Sequence, residues 1–174
     1  AIARWGHRGS GPRYTHFPDP AWPDLLARHA ARVAERYPHL QFYTPVNEPL
    51  TTARFSGLYG HWYPHGTDYG PFLRCLVNQC KATVLAMRAI RRSRPDAQLV
   101  QTDDMGKTFA TPLLSYQAEH ENQRRWLTFD LLYGMVDRHH PWWRIFRDHG
   151  VSEADLDLFL EADAAPDIIG INYY

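Results

Sequence analysis

Long apolar runs are missing from this chain of 174 residues. No stretch approaches the ~20 consecutive apolar residues that span a bilayer, and none reads as a signal peptide. Excess charge is missing as well. Nineteen Lys and Arg balance nineteen Asp and Glu, so composition makes no electrostatic case for nucleic acid or an anionic membrane surface. Cysteine is scarce: Cys75 and Cys80 only, five positions apart in one helical pattern. At ~1.5 Å of rise per residue their Cα atoms stand beyond the ~7 Å that a disulfide tolerates. Reduced, buried thiols are expected, and with them a cytoplasmic protein. Ligand spacing is absent from the ten histidines. His61 and His65 are four apart, yet Gly60, Pro64 and Gly66 deny them the helix such a pair needs, so no metal and no cofactor is expected.

What is present suits one globular domain with a core, since 44% of the residues are hydrophobic. The chain opens at Ala1 on a run, residues 2–6 (IARWG), that reads as the middle of a strand, so a truncated or processed start is expected. His7-Arg8-Gly9 begins a loop. Asp19-Pro20 reads as a helix cap, followed by Trp22, Leu25, Leu26, Val33 and Tyr37 at helical spacing. A strand over 40–46 comes next, then a long glycine- and aromatic-rich loop over 51–70. Pro71 opens a second helix, which ends in Arg91, Arg92 and Arg94. Residues 98–102 form a strand ending in Asp103-Asp104. After an irregular stretch a helix covers roughly 118–134, Pro141-Trp142-Trp143 breaks the pattern, and Ser152 caps another helix. The last strand runs from Ile168 to Tyr174.

Strand and helix alternate four times, which implies parallel strands joined by right-handed crossovers. A doubly wound nucleotide-binding fold would place a GxGxxG turn after its first strand, and none occurs. A (β/α)₈ barrel instead displays polar groups at the carboxyl ends of several strands. Here each strand has one: His7, Asn47-Glu48, Asp103-Asp104, and Asn172 to Tyr174. The expected fold is therefore α/β, a partial TIM barrel of about four parallel strands. Eight strands take ~250 residues, so residues 1–174 read as a fragment of a single barrel domain, with strand edges exposed to aggregation.

Glu48 is the central candidate. Pro49 ends any strand there because it cannot donate to a ladder, which leaves Glu48 at a strand's carboxyl end. TPVNEP at 44–49, GLYGHWYPHGTD at 57–68 and PDIIGINYY at 166–174 resemble strands 3 to 6 of glycoside hydrolase family 1, the β-glucosidase-like enzymes. The resemblance is nearest to a subgroup joined to a C-terminal sugar-nucleotide reductase domain of the dTDP-4-dehydrorhamnose reductase type. It implies hydrolysis of O-glycosidic bonds in β-glycosides or oligosaccharides, with Glu48 as general acid/base. It also implies that Asn47 bonds the sugar 2-hydroxyl, that His7 and Asn172 line the substrate site, and that Tyr174 contacts the nucleophile. The family's His-Trp pair reads His7-Arg8 here, and Asp103-Asp104 is unusual for it.

Retaining hydrolysis needs two carboxyls ~5–5.5 Å apart, one protonating the leaving oxygen and one attacking the anomeric carbon. The family carries the second after strand 7, in a TENG-like segment, and residues 1–174 contain none. Asp103 and Asp104 read as acceptors for loop N–H groups rather than as its replacement. Residues 1–174 alone are thus expected not to turn over glycosides. Trp62, Tyr63, Trp142 and Trp143 suit either sugar stacking or core packing. Two other readings stay open: a non-catalytic sugar-binding or accessory domain fused to the reductase, and a generic α/β domain in which Glu48 points away from the other strand tips.

Overall fold

The computed structural model describes residues 16–173. The expected strand at 2–6, His7 and Tyr174 lie outside them. Helix α1, Trp22–Arg36, begins with Pro23 in its first turn. Asp19 does not cap it: its Oδ1 accepts the Ala21 N–H at 2.8 Å and closes the turn before the helix. The buried stripe of α1 runs through Trp22, Leu26, Ala30 and Ala34, one residue every turn, whereas the expected Tyr37 is exposed. Alanines on that stripe let α1 lie close against α3, Tyr69–Arg91.

Helix α3 is the long spine of the chain. Asp68 caps it, accepting the Gly70 N–H at 3.1 Å, so it starts two residues before the Pro71 expected to open it. Cys75 and Cys80 are free, buried thiols on this helix. Burial pushes Cys75 up to about 12 and Cys80 well above the ordinary thiol range, which leaves both inert as nucleophiles.

Strand β1 is only Phe42–Tyr43, against the expected 40–46. Beyond Tyr43 the chain stays beside its neighbour but abandons the ladder. Thr44 Oγ1 donates to the Val100 carbonyl at 2.8 Å, Gln101 Nε2 to the Val46 carbonyl at 3.0 Å, and the Glu48 N–H to the Thr102 carbonyl at 3.1 Å. Strand β2, Gln98–Asp104, runs two residues further than expected, and β3 covers Ile168–Asn172. The three pair in parallel in the order β1-β2-β3. The architecture is the expected α/β one.

Alternation along β2 separates two faces. Leu99 packs with Ala30, Ala34, Ala86, Met87 and Ile90 of the helical layer, so Gln101 and Asp103 face that layer too. Val100, Thr102 and Asp104 face the other, concave side, and the register sets Ile168, Gly170 and Asn172 opposite them. Gly170 is required there: a Cβ would meet Thr102 Cγ2 at 2.5 Å.

The stretch over 51–70, expected as a loop, is helical for its first half. Pro49 opens α2, Pro49–Ala53, and a π-turn continues it over Arg54–Leu58. Gly57 lets this segment touch α3, since a Cβ would stand 2.5 Å from the Phe72 backbone. The helix expected over 118–134 is two helices, α4 (Ser115–Arg124) and α5 (Leu127–Leu132). Polar α4 lies on the surface and apolar α5 is buried, so the axis breaks between them to reach the core. Helices α6 (Trp143–Asp148) and α7 (Glu153–Leu160) follow. Ser152 caps α7 as expected, its Oγ accepting the Asp155 N–H at 3.1 Å. The main core joins Phe72, Leu76, Leu131, Trp142, Phe146 and Phe159.

Candidate functional site

The carboxyl ends of the three strands carry Asn47-Glu48, Asp103-Asp104 and Asn172, and they converge. Asn172 Nδ2 lies 2.5 Å from Glu48 Oε1 and 3.3 Å from Asn47 Oδ1. Thr102 Oγ1 donates to the same Asn47 oxygen at 2.7 Å. Two donors on Oδ1 assign the amide, turning Asn47 Nδ2 away from them. Glu48 therefore points to the concave side and meets Asn172, against the generic-domain reading in which it turns away from that strand tip. It is 8% exposed.

Glu48 adopts a left-handed backbone, φ 49 and ψ 61. That conformation costs a residue with a Cβ roughly 1–2 kcal/mol, and such strain clusters at functional sites. The surrounding bonds hold it. The Glu48 N–H reaches the Thr102 carbonyl at 3.1 Å and its own carbonyl accepts the Thr52 N–H at 2.9 Å. From α3, Gln79 Nε2 donates to the Pro49 carbonyl at 3.1 Å.

Asp103 lies behind Glu48, fully buried on the helix side of β2. Its Oδ2 accepts from Thr128 Oγ1 at 2.7 Å and from the Leu50 N–H at 3.1 Å. Its Oδ1 accepts the Asp104 N–H at 3.0 Å and faces Thr51 Oγ1 at 3.4 Å. Burial raises the Asp103 carboxyl to about 6, against the bonds from Thr128, Leu50 and Asp104 that hold it down, and the Glu48 charge adds a smaller push upward. Asp104 Oδ2 lies 3.4 Å from both Arg54 and Arg125, and its Oδ1 accepts the Gly106 N–H at 3.0 Å. Both carboxylates thus serve as acceptors for loop and helix N–H groups, as the sequence suggests.

The aromatic candidates divide. Trp142 is core: it stacks on His120 at 4.8 Å, and Tyr69 Oη bonds His120 Nε2 at 2.8 Å. Sugar stacking is thereby excluded for Trp142, and Trp143 is half-buried against the same core. Trp62 meets Phe55 edge-on at 4.8 Å, and Tyr63 is exposed. Among the described residues no group of three His, Cys, Asp or Glu side chains could hold a metal ion, and no helix is long and apolar enough to cross a membrane.

Thr102, Thr128, Arg54 and Gln79 escape sequence reasoning. Only Thr102 carries a signal, as the residue two before Asp104 on the same strand face. The other three act across elements whose packing no local pattern announces.

No family model and no curated protein sequence matches the chain. Solved structures do. A β-glucosidase from Thermotoga maritima in complex with deoxynojirimycin superimposes with a TM-score of 0.76 at 20% identity, over 91% of this chain and 37% of that one. The family 1 β-glucosidase of the same organism with isofagomine lactam gives 0.77 at 20% identity, with the same coverage of 91% and 37%. The AHE enzyme from Alicyclobacillus herbarius gives 0.70 at 19% identity, again over 91% and 37%. The shared property is the fold, a partial TIM barrel, and the chain spans 37% of the length of these neighbours.

Proposed function

We propose that residues 1–174 belong to one (β/α)₈ glycosidase domain that hydrolyses β-glycosides or oligosaccharides with retention, as part of carbohydrate metabolism. Glu48 is its general acid/base. The observation that carries this reading is the contact of Asn172 with Glu48 at the tips of parallel strands, in a fold shared with β-glucosidases. Glu48 gives its proton to the glycosidic oxygen as a second carboxylate attacks the anomeric carbon and the C–O bond breaks. It then takes a proton from the water that releases the sugar. Asn172 holds the Glu48 carboxyl in line, and Asn47, its Oδ1 occupied by Thr102 and Asn172, offers Nδ2 to a sugar hydroxyl. His7 and Tyr174 complete the site by resemblance, His7 on the sugar and Tyr174 on the nucleophile.

The second carboxylate comes from a further segment of the domain, because both Asp103 oxygens are engaged by protein donors. The neutral charge balance supports a sugar partner over nucleic acid or a membrane surface, and the inert, buried thiols support the cytoplasm. A reductase-type domain follows the barrel, as in the subgroup that the sequence resembles.

The test is nitrophenyl β-glucoside turnover by the full-length protein carrying this chain, beside its Glu48→Gln variant and residues 1–174 alone. Turnover is expected only from the first, with a loss of ~10²–10⁴-fold in the variant. Sugar binding without turnover by the full-length protein would instead select the non-catalytic accessory role.

A further inference from the structure

Two consecutive residues of β2 grip the chain on either side of Glu48. The Thr102 carbonyl takes the N–H of Glu48 itself at 3.1 Å. The Asp103 carboxylate takes the N–H of Leu50 at 3.1 Å, and Pro49, between them, has no N–H to offer. Leu50 N–H is therefore the first donor after the left-handed residue, and it lies too early in α2 to find a carbonyl within the helix. Without a buried acceptor this donor would be orphaned in a site closed to water.

We propose that Asp103 is a positioning residue for Glu48: by accepting the Leu50 N–H it fixes the left-handed turn and keeps the Glu48 carboxyl against Asn172. The proposal rests on the glycosidase reading of Glu48. Asp103 touches no substrate in this scheme, since its side chain lies on the helix face of β2 and Glu48 on the concave one. Its own position is fixed by Thr128 from α5 at 2.7 Å and by the Asp104 N–H at 3.0 Å. A helix behind the sheet thereby holds the acid in front of it.

Loss of proton delivery has a signature that general loss of structure lacks. An aliphatic leaving group needs the acid, whereas dinitrophenolate departs without it. In the full-length protein, kcat and KM are measured for an alkyl and a 2,4-dinitrophenyl β-glucoside with Asp103→Ala, Asp103→Asn and Glu48→Gln. For Asp103→Ala, kcat/KM is expected to fall about 10–100-fold on the alkyl substrate with little change on the dinitrophenyl one, whose kcat falls instead because Glu48 is also the base for the water that releases the sugar. Asp103→Asn keeps an acceptor oxygen and recovers most of the loss. Should Asp103→Ala not fold, Asp103→Glu keeps the charge, displaces the oxygens by a methylene, and is expected to show the same selectivity. Equal losses of kcat/KM on both substrates, or none on either, overturn the positioning role. If Glu48→Gln itself shows no dependence on the leaving group, the acid/base assignment fails instead, and the positioning role falls with it.

Discussion

A carboxylate buried as deeply as Asp103 makes folding sensitive to pH in a direction opposite to that of most paired acids. Its folded value near 6 stands above the ordinary 3.8, so the folded protein holds the Asp103 proton more tightly than the unfolded chain does. The resulting stabilisation is complete below the unfolded value and is lost as pH rises through about 6. Its size is on the order of 2–3 kcal/mol. Urea unfolding of the parent and of Asp103→Asn at acid and neutral pH measures it. The stability difference between the two proteins should shift in favour of Asp103→Asn as pH rises, and a difference that stays constant across the range would contradict the assignment. Of the residues around this carboxyl, the sequence marks Glu48, Asn47 and Asn172 by their places at strand ends. Thr128 and Gln79 are invisible in it, because each reaches the site from a helix whose own pattern explains it as packing.

At the scale of elements, spacing served well where one face is buried and the other wet. The two helices on either side of the strand over 40–46 and the Ser152 cap follow from such patterns. It misled where small residues decide. The inner stripe of α1 passes through Ala30 and Ala34, which carry little hydrophobic weight in a periodicity count yet are wholly buried. The segment after Pro49 reads as a loop because its glycines and aromatics resemble one, while tertiary contact with α3 makes it a helix and a π-turn. Gly57 is the point of that contact. Gly57→Ala should cost about 1–3 kcal/mol through overpacking, more than an alanine's helical preference returns. Thermal unfolding compares it with Gly106→Ala, an exposed loop position whose nearest neighbour for a Cβ is the Asp104 side chain at 3.4 Å, which should change stability far less.

The whole molecule has an uneven outline. Among the described residues β3 pairs only with β2, and Ile168, Ile169 and Ile171 are 41%, 49% and 65% exposed. On β2 the positions opposite Ile169 and Ile171, Gln101 and Asp103, are wholly covered, whereas β3 presents its apolar side chains without such cover. Such an edge recruits other strands. Residues 1–174 in isolation are expected to self-associate, and Ile171→Lys to reduce that association. Light scattering across a concentration series reports it, and a parent that stays monomeric at high concentration would refute it. The partial barrel itself was readable in the alternation of strands and helices and in the missing phosphate turn. The degree of exposure was not, because it depends on what surrounds β3 rather than on β3.

The in-step pairing of β2 with β3 reaches further than stability. Asn172 meets Glu48 because it stands opposite Asp104. Sliding β3 by a single residue would turn its amide to the helical layer and present Ile171 to the carboxyl instead. A misaligned sheet would thus lose the Asn172–Glu48 contact and, on the proposed function, its chemistry, so turnover reports whether each molecule has been threaded correctly.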